Sequence, residues 1–284
     1  MESIAPPVSI VSLLPELIIV AAGCAALLLG QAKARGALAA IPWVGLLGMV
    51  AAGLVVKFNP PEANFGQVEI FGGLSFDYLA DFVRLSTLIM GIVLLLSAWS
   101  EPSESDSGEF FSMFLFAVAG LMLVGSSSNF FLLFLAIELV SVPTYVMIAL
   151  SRRSPKAIEA CTKYFYLGAL AAAVTAYGFS LLFGVAGSAR IDADAIFRIS
   201  EALATPGTAA YAIATVGIVL SIGGLLFKIA AVPLHFYVAD VYEGAASPVS
   251  GFLGFVPKFA GMIAIIKLVA LTGWQTTSGG LFWM

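Results

Sequence analysis

The chain has 284 residues, 61% of them hydrophobic and only 11% charged, with a mean hydropathy of +1.04. A water-soluble domain carries about 25% charged residues, so this composition excludes one and points to an integral membrane protein, all-α and polytopic. A net charge of −4 argues against nucleic acid as a partner, and one histidine with two isolated cysteines, Cys24 and Cys161, cannot build a zinc site.

A window of ~19 residues picks out eight apolar segments, at 8–30, 36–56, 74–98, 109–128, 129–150, 158–186, 208–241 and 248–270. In the first, Ala21-Ala22-Gly23-Cys24 has the look of a lipoprotein cleavage box. The stretch before it has no Lys or Arg and carries Glu2 and Glu16, so this segment is expected to stay as a helix. Both cysteines read as core thiols.

The third segment opens with Asp77, Asp81 and Arg84, which read as an interfacial ion-pair group. Glu101 to Glu109 is an acidic, Ser-rich loop, and Ser126-Ser127-Ser128-Asn129 reads as a tight turn between the fourth and fifth segments. Gly168-Ala169 with Ala171-Ala172-Ala173 predicts close helix packing in the sixth. Gly187 to Gly207 is a longer connection with mixed charges.

The seventh segment is too long for one straight helix. From Ala209 to Val241 it would reach about 50 Å against a hydrocarbon core of ~30 Å, so it must bend or break, and Pro233 marks the place. A broken membrane helix with a charge at its break lines a polar pathway, because exposed backbone in lipid costs several kcal/mol per unsatisfied group.

Basic residues orient the chain. Lys33 and Arg35 follow the first segment, and Arg152, Arg153 and Lys156 follow the fifth. Eight spans put these loops on one side, which should be cytoplasmic; Lys57, Arg190 and Arg198 lie opposite. The N-terminus is then expected on the outer side.

Three charges fall at mid-membrane depth. Glu138 sits halfway along the fifth segment, where a lone carboxylate costs ~2.5–3.5 kcal/mol and must be protonated, paired or open to water. Lys228 precedes Pro233, and Lys258 follows Pro257 in the middle of the eighth segment. Each could be a static ion-pair partner, but three such charges in one bundle favour proton exchange. His235 alone would read as a satisfied core residue; between two buried lysines it reads as a relay. Lys163 can snorkel or pair with Glu159 at i,i+4. Lys267 reads as a snorkelling anchor.

The stretch FKIAAVPLHFYVADVYEGAASPVSGFLGFVPK, from Phe227 to Lys258, resembles the hallmark of subunit N of proton-pumping NADH:quinone oxidoreductase, respiratory complex I. ELVSVPTY around Glu138 and CTKYFYLGALAAAVTAYGFSLLFG around Lys163 are similar to the same family. The resemblance implies an antiporter-like proton channel in which Glu138 pairs with Lys228, while Lys163, His235 and Lys258 are the other proton-carrying residues. It implies a three-helix segment over 1–108 and a first antiporter-like repeat with a proton-input half-channel over 109–284. Family members carry a second, inverted repeat that the residues up to Met284 do not contain. The expected fold therefore lacks that repeat, whether because the sequence is a fragment, because a second polypeptide completes it, or because this copy is inactive.

The expected function is proton translocation coupled to quinone reduction, in a bacterial inner membrane. The chain shows no Cys-x-x-Cys, no iron–sulfur spacing and no dinucleotide fingerprint. Cofactors are thus expected only on partners: flavin, iron–sulfur clusters and quinone. The expected partners are the other membrane-arm subunits, among them antiporter-like sisters, and the lipid bilayer. Two other readings keep the residues but change the role. One is a subunit of a sodium/proton antiporter or of a related hydrogenase or ferredoxin-linked complex; the other is a non-conducting assembly scaffold.

Overall fold

The computed structural model describes residues 10–32, 35–58, 73–152 and 154–273. These form ten α-helices: α1 (Leu14–Gln31), α2 (Arg35–Phe58), α3 (Tyr78–Ser97), α4 (Ser107–Ser126), α5 (Phe130–Ser151), α6 (Pro155–Ala186), α7 (Ala193–Leu203), α8 (Ala209–Lys228), α9 (Val238–Gly244) and α10 (Ser247–Ala270). Eight of them, all but α7 and α9, are long and apolar enough to cross a membrane, matching the eight segments read from hydropathy.

Polar residues set the helix starts. The side chains of Asp77, Asn129, Ser154, Asp192 and Thr208 each accept a hydrogen bond from a backbone N–H in the first turn of the helix that follows. Pro155 and Pro248 stand in the first turns of α6 and α10, where a missing N–H costs nothing. Gly187 closes α6 in a left-handed conformation (φ 69°) that a side chain would resist.

Helix α4 is the axis of the bundle. It is apolar on every side and nearly all of it is buried, as such a helix must be. Phe110, Phe111 and Phe114 are among its fully buried side chains. Helices α1, α2, α3, α5 and α10 all pack on it. The Ser127–Asn129 turn runs α5 back antiparallel to α4, as expected; isolated bridges tie Leu74 to Ser127 and Asn129 to Arg190.

The small residues of α6 do bring helices together. A methyl group on Gly178 would stand 2.5 Å from Ser221 N and 2.8 Å from Gly217 O, so α6 and α8 touch backbone to backbone there. Gly168 meets the ring of Tyr145 on α5 in the same way, 2.9 Å from Cζ.

Four expectations need correction. The stretch 187–207 contains a helix, α7, which buries Ala195, Ile199 and Ala202 along one stripe and leaves Phe197 outside. Arg84 is buried, and its main partner is not the expected Asp81, which is the weaker contact at 3.4 Å, but Glu16 on α1, at 2.7 and 2.9 Å. Lys267 does not snorkel, because its ammonium is held by three backbone carbonyls. Cys24 is exposed on α1 instead of lying in the core, and half-buried Cys161 donates to Tyr145 O at 3.2 Å. Lys33 and Arg153, used in the orientation argument, lie outside the described residues.

Candidate functional site

The break in the seventh apolar segment comes right after Lys228. Ile229 N donates to Leu225 O, Ala230 N to Phe227 O, and Ala231 N to Leu226 O. Ala230 takes the left-handed conformation (φ 58°) at the position where glycine normally closes such a Schellman turn. Residues 231–237 then wind as turns before α9 begins. Tyr237 reaches back and donates its hydroxyl to Phe227 O at 2.8 Å, a second hydrogen bond to the carbonyl that already accepts from Ala230 N. The broken backbone is thus supplied with partners from within the protein, as a membrane interior demands.

Lys228, the last residue of α8, points at the middle of α5. Its ammonium donates to Glu138 Oε1 at 3.0 Å and to Ser141 Oγ at 2.8 Å. The lysine side chain is 3% exposed and the carboxylate 22%, so the ion pair is desolvated mainly on the lysine side. Ser141 lies one turn beyond Glu138 on the same helix face and donates its own proton to Ile137 O at 2.9 Å, which leaves its lone pair aimed at the lysine. Two glycines allow the approach. A methyl on Gly120 of α4 would meet the α5 backbone at Leu139 and Val140, 2.9 Å away, and one on Gly261 of α10 would press on Ile229 and the Lys228 Cβ.

Lys258 stands across a small cavity from Lys228. The space, about 10 Å³, is lined by both lysines and by Tyr164, Tyr237 and Tyr242 among others. The Lys258 ammonium lies over the Tyr242 ring, 5.4 Å from its centroid, a cation–π arrangement. Tyr237 stacks on Phe227 at 4.3 Å and on Tyr164 at 5.4 Å, so the wall between the lysines is aromatic and close-packed.

The other two expected residues stand elsewhere. His235 is exposed in the turn after the break and does not line that cavity. Lys163 is 44% exposed; it pairs with Glu159 as the i,i+4 spacing predicts, and with Asp240 of α9, each at 2.7 Å. Lys156 and Glu243 form a second, exposed pair between the same two helices at 2.6 Å. These bridges fasten α9 to α6 without joining the buried pair.

Sequence reasoning passed over Ser141 and the three tyrosines. Ser141 could have been found from its i+3 spacing to Glu138; nothing local marks the tyrosines, which converge from α6, the turn and α9. Among the described residues no three His, Cys, Asp or Glu side chains gather as a metal site would require.

A broken helix, a buried ion pair at the break and a second lysine beyond it thus sit together among helices apolar enough to cross a membrane. Residues 127–279, over half of the chain, match the family model for NADH:quinone oxidoreductase/Mrp antiporter transmembrane proteins. The chain belongs to that family. NADH-quinone oxidoreductase subunit N of Trichlorobacter lovleyi is 33% identical over 264 residues, covering 90% of this chain and 52% of the relative. The subunit of the same description from Thioalkalivibrio sulfidiphilus is 34% identical over 263 residues, with the same coverage of 90% and 52%. The chain thus spans about half the length of the curated relatives it matches. A chain in the solved structure of respiratory complex I from Thermus thermophilus with bound aureothin superposes with a TM-score of 0.68 at 29% identity, over 89% of this chain and 52% of that one.

Proposed function

We propose that this chain forms the proton-input half of a subunit-N channel in a proton-pumping NADH:quinone oxidoreductase. The observation that carries the reading is the Lys228–Glu138 pair, set at the break of a membrane helix with Lys258 across a cavity from it. In this reading protons enter from the cytoplasmic side and load Lys228. Moving Glu138 away strips the ammonium of its counter-charge, and the proton passes on towards Lys258. Residues 1–108 then serve as an N-terminal three-helix segment and 109–284 as the antiporter-like repeat.

The chain would work as a non-redox subunit of the translocase. Flavin, iron–sulfur clusters and quinone would belong to other subunits, and antiporter-like sisters and lipid would flank it in a bacterial inner membrane with the N-terminus outside. The relatives' descriptions, the family model and the basic residues that follow the first and fifth spans, Lys33, Arg35, Arg152, Arg153 and Lys156, support this placement. The family description also names Mrp antiporters, but the curated relatives are NADH-quinone oxidoreductase subunit N, so a sodium/proton exchanger built on the same charges is the disfavoured alternative.

Glu138→Gln in the assembled complex tests the proposal, with proton uptake into inverted membrane vesicles measured beside quinone reduction. Pumping should fall severalfold while the complex still assembles; full pumping overturns the reading. Dependence of transport on sodium would select the exchanger.

A further inference from the structure

The cavity between the two lysines raises a question that the charges alone do not answer, namely what joins them. His235 is exposed and stands outside the lining. What does line the space is Tyr242 from α9, and its hydroxyl is buried with no hydrogen-bond partner among the described residues. An unpaired hydroxyl in an apolar bundle is costly, and native proteins leave few of them. The same side chain carries the Lys258 ammonium over its ring at 5.4 Å. The ring therefore meets Lys258 while the hydroxyl stays free for another group.

Neighbouring polar groups are already committed. Tyr237 donates to Phe227 O, and Lys228 donates to Glu138 and Ser141. The cavity, at about 10 Å³, matches the room that one water needs, roughly 10–15 Å³ by the same measure. A water also needs two to four polar partners, and the Tyr242 hydroxyl and the lysine ammonium groups supply them.

We propose that Tyr242 is the relay residue between Lys228 and Lys258, acting with a single water held in the cavity; the assignment rests on the proton-channel reading above. The transfer balances. The Lys228 ammonium gives a proton to the water, which gives one of its own to the Tyr242 oxygen; that hydroxyl passes its proton to the neutral Lys258 amine once the lysine turns from the ring face to the hydroxyl. Lys228 ends neutral and Lys258 ends as the ammonium, and both water and tyrosine are restored. The cation–π contact gives Lys258 a favourable position once it is charged. Because Tyr242 is anchored on α9, and α9 is fastened to α6 by the Lys163–Asp240 and Lys156–Glu243 bridges, the relay moves only if that short helix moves.

Tyr242→Phe keeps the ring and removes only the hydroxyl. In vesicles carrying the intact complex, proton pumping should fall severalfold at unchanged assembly, and the solvent deuterium isotope effect on the remaining pumping should change. A methyl on Gly254 would lie 3.8 Å from the Tyr242 hydroxyl, so Gly254→Ser in the Tyr242→Phe background returns a hydroxyl to that corner and should recover part of the pumping. Parent-like pumping with a parent-like isotope effect in Tyr242→Phe overturns the assignment. Failure of that variant to assemble also overturns it, by making the hydroxyl structural. Glu138→Gln is run in parallel. If it pumps fully, the channel reading itself falls; if it is impaired while Tyr242→Phe is not, only the relay falls.

Discussion

The Lys228 ammonium lies closer to Ser141 Oγ, at 2.8 Å, than to Glu138 Oε1, at 3.0 Å. The buried lysine is therefore held by two acceptors on one face of α5, only one of them charged. A neutral acceptor stays in place whatever the protonation of Glu138, so the lysine keeps its position when the ion pair weakens.

Ser141→Ala removes that second acceptor. Hydrogen bonds to charged groups contribute ~1.5–3 kcal/mol, so the lysine should lose its fixed position and pumping should fall severalfold in an assembled complex. Ser141→Thr retains a hydroxyl and should recover most of the activity. Proton uptake by membrane vesicles reads both variants; parent-like pumping in Ser141→Ala would mean that Glu138 alone positions the ammonium.

A second buried pair makes a prediction about stability alone. Arg84 donates to both carboxylate oxygens of Glu16 and to Ser12 O, joining α3 to α1. Replacing Arg84 with Met leaves the carboxylate buried and unpaired, at a cost of about 3–5 kcal/mol. Changing both residues, Glu16→Leu with Arg84→Met, removes the uncompensated charge and should restore most of the loss. Thermal melting of the detergent-purified chain checks this; a double variant as unstable as the single one would show that packing, not charge, dominates.

What the sequence made legible, and what it hid, follows from how local each signal is. The eight spans and the break near Pro233 could be read because a run of apolar residues is a local property with a known length limit. The partner of Arg84 could not, since Glu16 is 68 positions away and the visible candidate was Asp81 at i,i+3. His235 follows Lys228 closely in sequence, which suggested a place between the lysines. The turns over 231–237 carry it outward instead, while Tyr242, further along the chain, is brought in by α9. Lys267 near the end of an apolar helix had the look of an anchor. Only the packing of α10 on α4 revealed what it binds.

That contact yields the last prediction. Helix α4 ends with carbonyls that have no donor within the helix, and its C-terminus carries partial negative charge. Lys267, from α10, donates to Val124 O at 2.9 Å and to Gly125 O and Ser127 O at 2.6 Å each, closing two of these groups and the carbonyl of the residue that caps the helix with one ammonium. Lys267→Met keeps the apolar stem and removes every donor, at ~1–3 kcal/mol for each buried carbonyl left unpaired. Water entering at this end of the bundle would relieve part of the loss. The purified variant should therefore melt at clearly lower temperature, whereas the pumping rate per assembled complex should stay close to the parent's. A variant that melts normally but pumps poorly would reverse the assignment and make Lys267 a proton carrier instead of a clamp.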